Sequence, residues 1–141
     1  MSSIDFDLMH FQSSEMSRIV EMVEKVAHSQ ATIFISGAVG TGKSSLAQFI
    51  HRKSQRKSLR VIDLKNWNES TLPSDAETLI LENIESASST LQDTLFERIG
   101  KIELRNQRLI VTSRKDLKSL ARQEKFRSDL LYKLSVIHFE I

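Results

Sequence analysis

Ala31-Thr-Ile-Phe-Ile-Ser36 runs directly into Gly37-Ala-Val-Gly40-Thr-Gly42-Lys43-Ser44, and this junction decides how the whole chain reads. The first part is apolar or β-branched almost throughout, as a strand buried on both faces should be. The second fits G-x-x-x-x-G-K-[ST] and opens a helical stripe through Leu46, Ala47, Phe49 and Ile50. About one random chain of this length in two hundred would hold that pattern by chance, and fewer would hold it between a buried strand and a helix. Phosphate binding needs this placement: glycines let backbone N–H groups curl around an anion, and the helix N-terminus adds partial positive charge. Lys43 is placed to bridge the β and γ phosphates, and Ser44 to hold Mg²⁺ through its hydroxyl. Gly37, Ala38, Val39, Gly40, Thr41, Gly42, Lys43, Ser44 and Ser45 are the candidate cradle, with ATP or ADP and Mg²⁺ the expected ligands. A plain glycine turn would need neither three glycines nor the lysine.

Strand and helix patterns alternate outward from this point. Met16, Ile19, Val20, Val23, Val26 and Ala27 trace one helical stripe before it. After it, Leu59–Leu64, Thr78–Leu81, Arg108–Thr112 and Val136–Ile141 read as strands, and Ser86–Ile99, Lys115–Gln123 and Arg127–Lys133 as helices. Residues 65–77, with Asn66, Asn68, Pro73 and Ser74, read as loop. The alternation predicts an α/β fold: a parallel five-stranded sheet with helices on both faces. A length of 141 residues bounds it to one domain, expected as an arm over 1–12 and a core over 13–141.

Composition excludes several classes. With no cysteine there is no disulfide framework, thiolate site or cysteine nucleophile, and His10, His28, His51 and His138 lack paired ligand spacing. No apolar run would span a bilayer and the opening is acidic and mixed, so a cytoplasmic protein without membrane partners is expected. The net charge of +2 is unevenly spread: residues 1–97 hold nine Lys/Arg against thirteen Asp/Glu (−4), and 98–141 eleven against five (+6). Trp67 and Phe126 read as packing residues, and the cluster Arg52, Lys53, Arg56, Lys57 and Arg60 as a basic surface, so no direct DNA binding by this segment is expected.

An Mg²⁺ site in such a fold takes an acidic residue from the end of the third strand. Thr78-Leu-Ile-Leu-Glu82-Asn83-Ile84 offers Glu82 there, making Ser44 and Glu82 the candidate metal pair, reached through the nucleotide.

These motifs, with Gln12-Ser-Ser-Glu-Met16, Ile110-Val-Thr-Ser-Arg-Lys-Asp-Leu117 and Phe126-Arg-Ser-Asp-Leu-Leu-Tyr-Lys-Leu134, resemble the AAA+ central domain of the sigma-54-dependent transcriptional activators, often found as two-component response regulators. The resemblance implies a P-loop NTPase three-layer sandwich of AAA+ type, nucleotide-driven action, and homo-oligomers or co-assembly with other AAA+ subunits. It casts Ser113 at the sensor I position and Arg127 and Lys133 as residues acting in trans on a neighbour's nucleotide. It also implies departures. The family's insertion between its second strand and Walker B, with the GAFTGA loop that touches sigma-54, has no counterpart here, which weighs against remodelling of sigma-54 polymerase. The helical lid is absent from these residues. Asn83 stands where the family has its catalytic glutamate, so ATP hydrolysis is expected to be weak or lost, unless Glu82 or Glu85 serves as base. A nucleotide-independent interaction module is the remaining alternative.

Overall fold

Alternate side chains along each strand go to opposite faces, and the apolar sequence supplies both. A computed structural model describes residues 13–69, 71–99, 101 and 106–141. The expected arm over 1–12 lies outside them. The strands are β1 (Ile33–Ser36), β2 (Leu59–Asp63), β3 (Thr78–Glu82), β4 (Arg108–Ser113) and β5 (Ile137–Glu140). They pair in parallel in the order β2-β3-β4-β1-β5. The helices are α1 (Ser13–Val26), α2 (Lys43–Lys53), α3 (Ser89–Ile99), α4 (Leu117–Arg122) and α5 (Ser128–Leu134). Ile33, Ile35, Ile80, Ile110 and Phe139 meet Ile19 and Val23 of α1 and Leu46, Phe49 and Ile50 of α2. On the other face Phe34, Leu79, Leu81, Leu109 and Val111 meet Leu91 and Leu95 of α3, Leu117 of α4 and Leu130 and Leu134 of α5. This is the three-layer α/β sandwich that the alternation predicts.

The ends of the elements are set by local chemistry. Asn83 adopts left-handed φ 59°, stopping β3 and starting a 3-10 turn, Ile84–Ser86. The helix expected from Ser86 therefore begins at Ser89, where the Ser88 hydroxyl accepts from Leu91 N–H at 3.1 Å. The next helix starts at Leu117 and not Lys115, because Asp116 caps it by accepting from Lys118 N–H at 3.0 Å. The connection over 65–77 has no helix among its described residues. Trp67 and Leu72 pack it onto the core, and Arg98 donates to the carbonyls of Leu72 (2.6 Å) and Pro73. Gln107 adds a bond to Ala76 O at 2.9 Å.

Arg108 is the largest fully buried side chain. It faces no carboxylate in its described contacts. Its guanidinium donates to Val26 O (2.7 Å), Ala27 O (2.5 Å) and Ala31 O (3.3 Å), closing the C-terminus of α1 onto the sheet. Helix carbonyls left without partners suit a cation there. Burial pushes its pKa down to about 10, still high enough to keep the charge at neutral pH. Arg108→Met would leave three carbonyls without their charged donor, for a loss of roughly 3 kcal/mol or more. Urea unfolding checks this, and an unchanged midpoint would refute the pinning role.

His51 is also buried, with Nδ1 2.8 Å from the Thr78 hydroxyl. Burial lowers its pKa, opposed by Glu77 and aided by Arg56. The unfolded chain therefore takes up the proton first, and this contribution to stability is lost as pH falls below the ordinary value of 6.5. His51→Asn should flatten the loss of melting temperature between neutral pH and about pH 5.5, leaving the smaller slope from His138, whose pKa burial also lowers.

Candidate nucleotide-binding site

Two of the loop's glycines are there for their backbone. Gly40 (φ 81°) and Gly42 (φ 91°) lie in the left-handed region, which disfavours side chains. Gly37 answers a different demand, since a Cβ there would collide with the carbonyl oxygen of Ile141 and crowd the Thr41 hydroxyl. Ile141 N–H donates to Ser36 O at 2.8 Å and Gly37 N–H to Ser113 O at 3.2 Å, so the loop leaves β1 between the ends of β5 and β4. The Thr41 hydroxyl and the Lys43 ammonium both donate to Ala38 O, at 2.8 and 2.7 Å. Lys43 is only 8% exposed. Burial lowers its pKa, while the Glu85 carboxylate pulls it back up, with smaller opposing effects from Arg114 (down) and Glu82 (up).

Two hollows meet at Gly40. The first, about 320 Å³, is lined by Val39, Gly40, Gly42, Lys43, Ser44 and Ser45 of the loop and helix, and by Glu82, Asn83, Thr112 and Arg114 at the strand ends. The second, about 650 Å³, lies between Arg18, Ile19 and Met22 of α1, Gly40 and Thr41, and the end of β5. A charged hollow at a helix N-terminus beside a larger, partly apolar one matches a polyphosphate carrying a flat organic group. Gly37 and Ala38 face a third hollow, with Ser36 and His138.

Among the described residues no group of three or more His, Asp or Glu could hold a metal. Ser44 and Glu82 share the smaller hollow. One hydroxyl and one carboxylate, completed by phosphate oxygens and water, fit Mg²⁺, which keeps several waters and uses few protein ligands. An ion held there would supply positive charge to a bound polyphosphate.

The remaining candidates divide. Asn83 lines the cleft, but its Nδ2 donates to Asp63 Oδ1 at 2.7 Å. Asp63 closes β2 beside Glu82 in register. Burial would raise its pKa, but bonds from Asn83 and Lys65 N–H, and the charges of Lys65 and Arg114, outweigh it and hold the carboxyl below its ordinary range. Glu85 is bound by Arg114, whose Nε lies 2.9 Å from Oε2 and whose backbone N–H is 3.4 Å from Oε1.

Ser113 turns away from the cleft. It is fully buried, and its hydroxyl donates to Lys115 O (2.7 Å) and accepts from Lys115 N–H (3.1 Å), closing a turn. Thr112 and Arg114 line the cleft on either side of it in sequence. Arg127 and Lys133 are likewise outside it. Both cations sit over the Phe96 ring, at 4.1 and 4.0 Å from its centroid, and Arg127 pairs with Asp93 (2.8 Å) and Asp129 (2.9 Å). Sequence reasoning missed Asp63 and Arg114 as site residues. Asp63 is the last residue of β2 and Arg114 the first after β4, where side chains reach the crevice above a parallel sheet, and that placement was the available signal.

Residues 11–141 match the model of the Sigma-54 interaction domain. The transcriptional regulatory protein FlbD of Caulobacter vibrioides is 28% identical over 162 residues, covering 89% of this chain and 36% of FlbD. That alignment is longer than the whole chain, so FlbD carries internal residues with no counterpart here. The chain spans about a third of its length. Among solved structures, NtrX from Brucella abortus in complex with ATP shares the fold with TM-score 0.74 and 19% identity, covering 92% of this chain and 37% of that one. The P-loop NTPase domain of the sigma-54 transport activator from E. coli gives TM-score 0.68 and 20% identity, covering 92% and 96%. No described helix is long and apolar enough to cross a membrane. An α/β sandwich with these neighbours, matched by the family model over nearly its whole length, belongs to the Sigma-54 interaction domain family of transcriptional activators, in a shortened form.

Proposed function

We propose that this chain is one AAA+ nucleotide-binding core of a cytoplasmic bacterial transcription regulator, binding ATP or ADP with Mg²⁺ and hydrolysing ATP slowly. The observation that carries this is the pair of hollows meeting at Gly40, with buried Lys43 lining the smaller one. NtrX, similar in fold, has been crystallised with ATP and with ADP, which supports the same ligands here. The Lys43 ammonium would exchange the Ala38 carbonyl for phosphate oxygens, a stronger charge-assisted bond. Lys43→Ala should weaken binding of a fluorescent ATP analogue by about tenfold or more. Equal affinity for the two proteins would sink the proposal.

Slow hydrolysis follows from Asn83. An amide orients water but does not take its proton, and a general base contributes typically about 10²–10⁴-fold. Of the two glutamates that could replace it, Glu85 is tied to Arg114, which leaves Glu82. Asn83→Glu alone would set two carboxylates together, since Asp63 is its present partner. Exchanging the pair, with Asp63→Asn and Asn83→Glu, keeps an amide–carboxylate bond and moves the acid to the position just after β3. Phosphate release should then rise by about 10²-fold or more, and no increase would show that something besides the missing acid limits turnover. Phosphate release already fast in the wild type, and lost in Lys43→Ala and Glu82→Gln, would instead mark an ATPase using Glu82.

Arg127 and Lys133 lie outside their own chain's cleft, which suits action on a neighbour in a homo-oligomer or in co-assembly with complete activator subunits. Contact with sigma-54 is not part of this proposal. Nucleotide-independent association in sedimentation would favour an interaction module.

A further inference from the structure

We propose that the third hollow, bordered by Ser36 and His138, is a second ligand site that takes a small aromatic monocarboxylate. The site does not depend on nucleotide binding.

The hollow, about 630 Å³, lies at the ends of β1 and β5 and against α4 and α5, and its size is that of a site for a small organic molecule. Phe34, Leu117 and Leu131 on its walls belong to the core on that side of the sheet. Ile19 and Phe139, which line the larger hollow near Gly40, belong to the core on the other side. The two hollows therefore open on opposite faces, with the edge strand β5 between them.

Phe34 and His138 are cross-strand partners whose rings stack 4.5 Å apart and 11° from parallel. The Ser36 hydroxyl lies 2.7 Å from His138 Nε2 and fixes the histidine ring. Phe34 is buried, whereas His138 is exposed on β5, which pairs only with β1 among the described residues. The stack thus ends in an open ring, and a flat aromatic group would extend it in the offset arrangement that rings favour. Burial lowers the His138 pKa, opposed by Glu140 and aided by Lys118, so the ring is neutral at neutral pH. Leu117 and Leu131 supply apolar wall beside it.

Charge sets the rest of the ligand. Among the lining cations Arg114 is already bound by Glu85, which leaves Lys115 and Lys118 against Asp116 and Glu140. Asp116 is engaged in capping α4 through Lys118 N–H. Both lysines are exposed and make no ion pair among the described residues, so their ammonium groups are available for a charge-assisted bond. A balance this close admits one carboxylate and works against a polyphosphate, which separates this ligand from a nucleotide.

The test titrates the full chain with cinnamate and follows backbone amide shifts by NMR. Cinnamate should bind saturably, with the largest shifts at Leu117, Lys118, Ser135 and His138. Cinnamyl alcohol, the same ring without the charge, should bind about tenfold or more weaker, the scale of a charge-assisted bond. Cinnamate should weaken by as much in the double variant Lys115→Ala with Lys118→Ala, whose exposed positions leave the fold intact. His138→Ala should cost about threefold or more, the scale of one ring contact. Shifts that climb without saturating, equal binding of acid and alcohol, or unchanged affinity in the double variant would each overturn the site. ATP with Mg²⁺ added to the loaded chain should leave the shifts in place, and displacement would put cinnamate in the nucleotide cleft and overturn the proposal too. A chain that binds cinnamate but not ATP would overturn only the nucleotide-binding reading.

Discussion

Strand β4 is the member on which both ends of the molecule depend. All six of its residues are buried, and it pairs with β3 on one side and β1 on the other, joining the two parts of the sheet. At its first residue Arg108 holds the last carbonyls of α1, the helix that walls the larger hollow. At its last, Ser113 accepts the Gly37 N–H and folds onto Lys115, and Arg114 emerges into the cleft. One strand thus sets the distance between the helix wall and the phosphate loop. The cost of burying the Arg108 cation is offset by carbonyl dipoles and not by an acid, which ties the charge to backbone geometry.

The glycine-rich junction and the period of the apolar residues were enough to read the fold. Ile33, Ile35 and Ile80 share one face and Phe34, Leu79 and Leu81 the other, so a strict two-residue period emerges wherever both faces are apolar. Helix starts were less legible, because they turn on single bonds: the left-handed backbone of Asn83 and the Asp116 cap each move a boundary by two or three residues. The partners of charged residues were not legible at all. Arg108 meets carbonyls some eighty residues away, and Asp63 meets Asn83 across two strand ends. A cation heading the apolar run Arg108-Leu-Ile-Val hinted that something had to satisfy it, but no spacing in the sequence says what.

Asn83 and Asp63 set an amide against an acid at two neighbouring strand ends. They face each other 2.7 Å apart, the acid at the last residue of β2 and the amide just past the end of β3, next to the Mg²⁺ candidate Glu82. In this pair the power to accept a proton lies with the carboxylate on β2 and not with the amide. Phe96 makes a comparable economy on the surface, where one ring face system accommodates both Arg127 and Lys133. Cations held so close to acids and an aromatic ring are pre-oriented, and the same contacts must be traded for any stronger anion that approaches.

The connection between β2 and β3 is tied near its β3 end by Arg98 and Gln107 and near its β2 end by Lys65 N–H on Asp63. A segment anchored at both ends can change length between them without moving the sheet. The entropic cost of such growth is logarithmic, about 0.6 kcal/mol for each doubling. The short crossover of this chain and the long insertion that the resemblance implies for its family would then be two settings of one adjustable span. A lineage could pass from one to the other by insertion or deletion alone, keeping the nucleotide pocket while gaining or shedding whatever the span was long enough to touch.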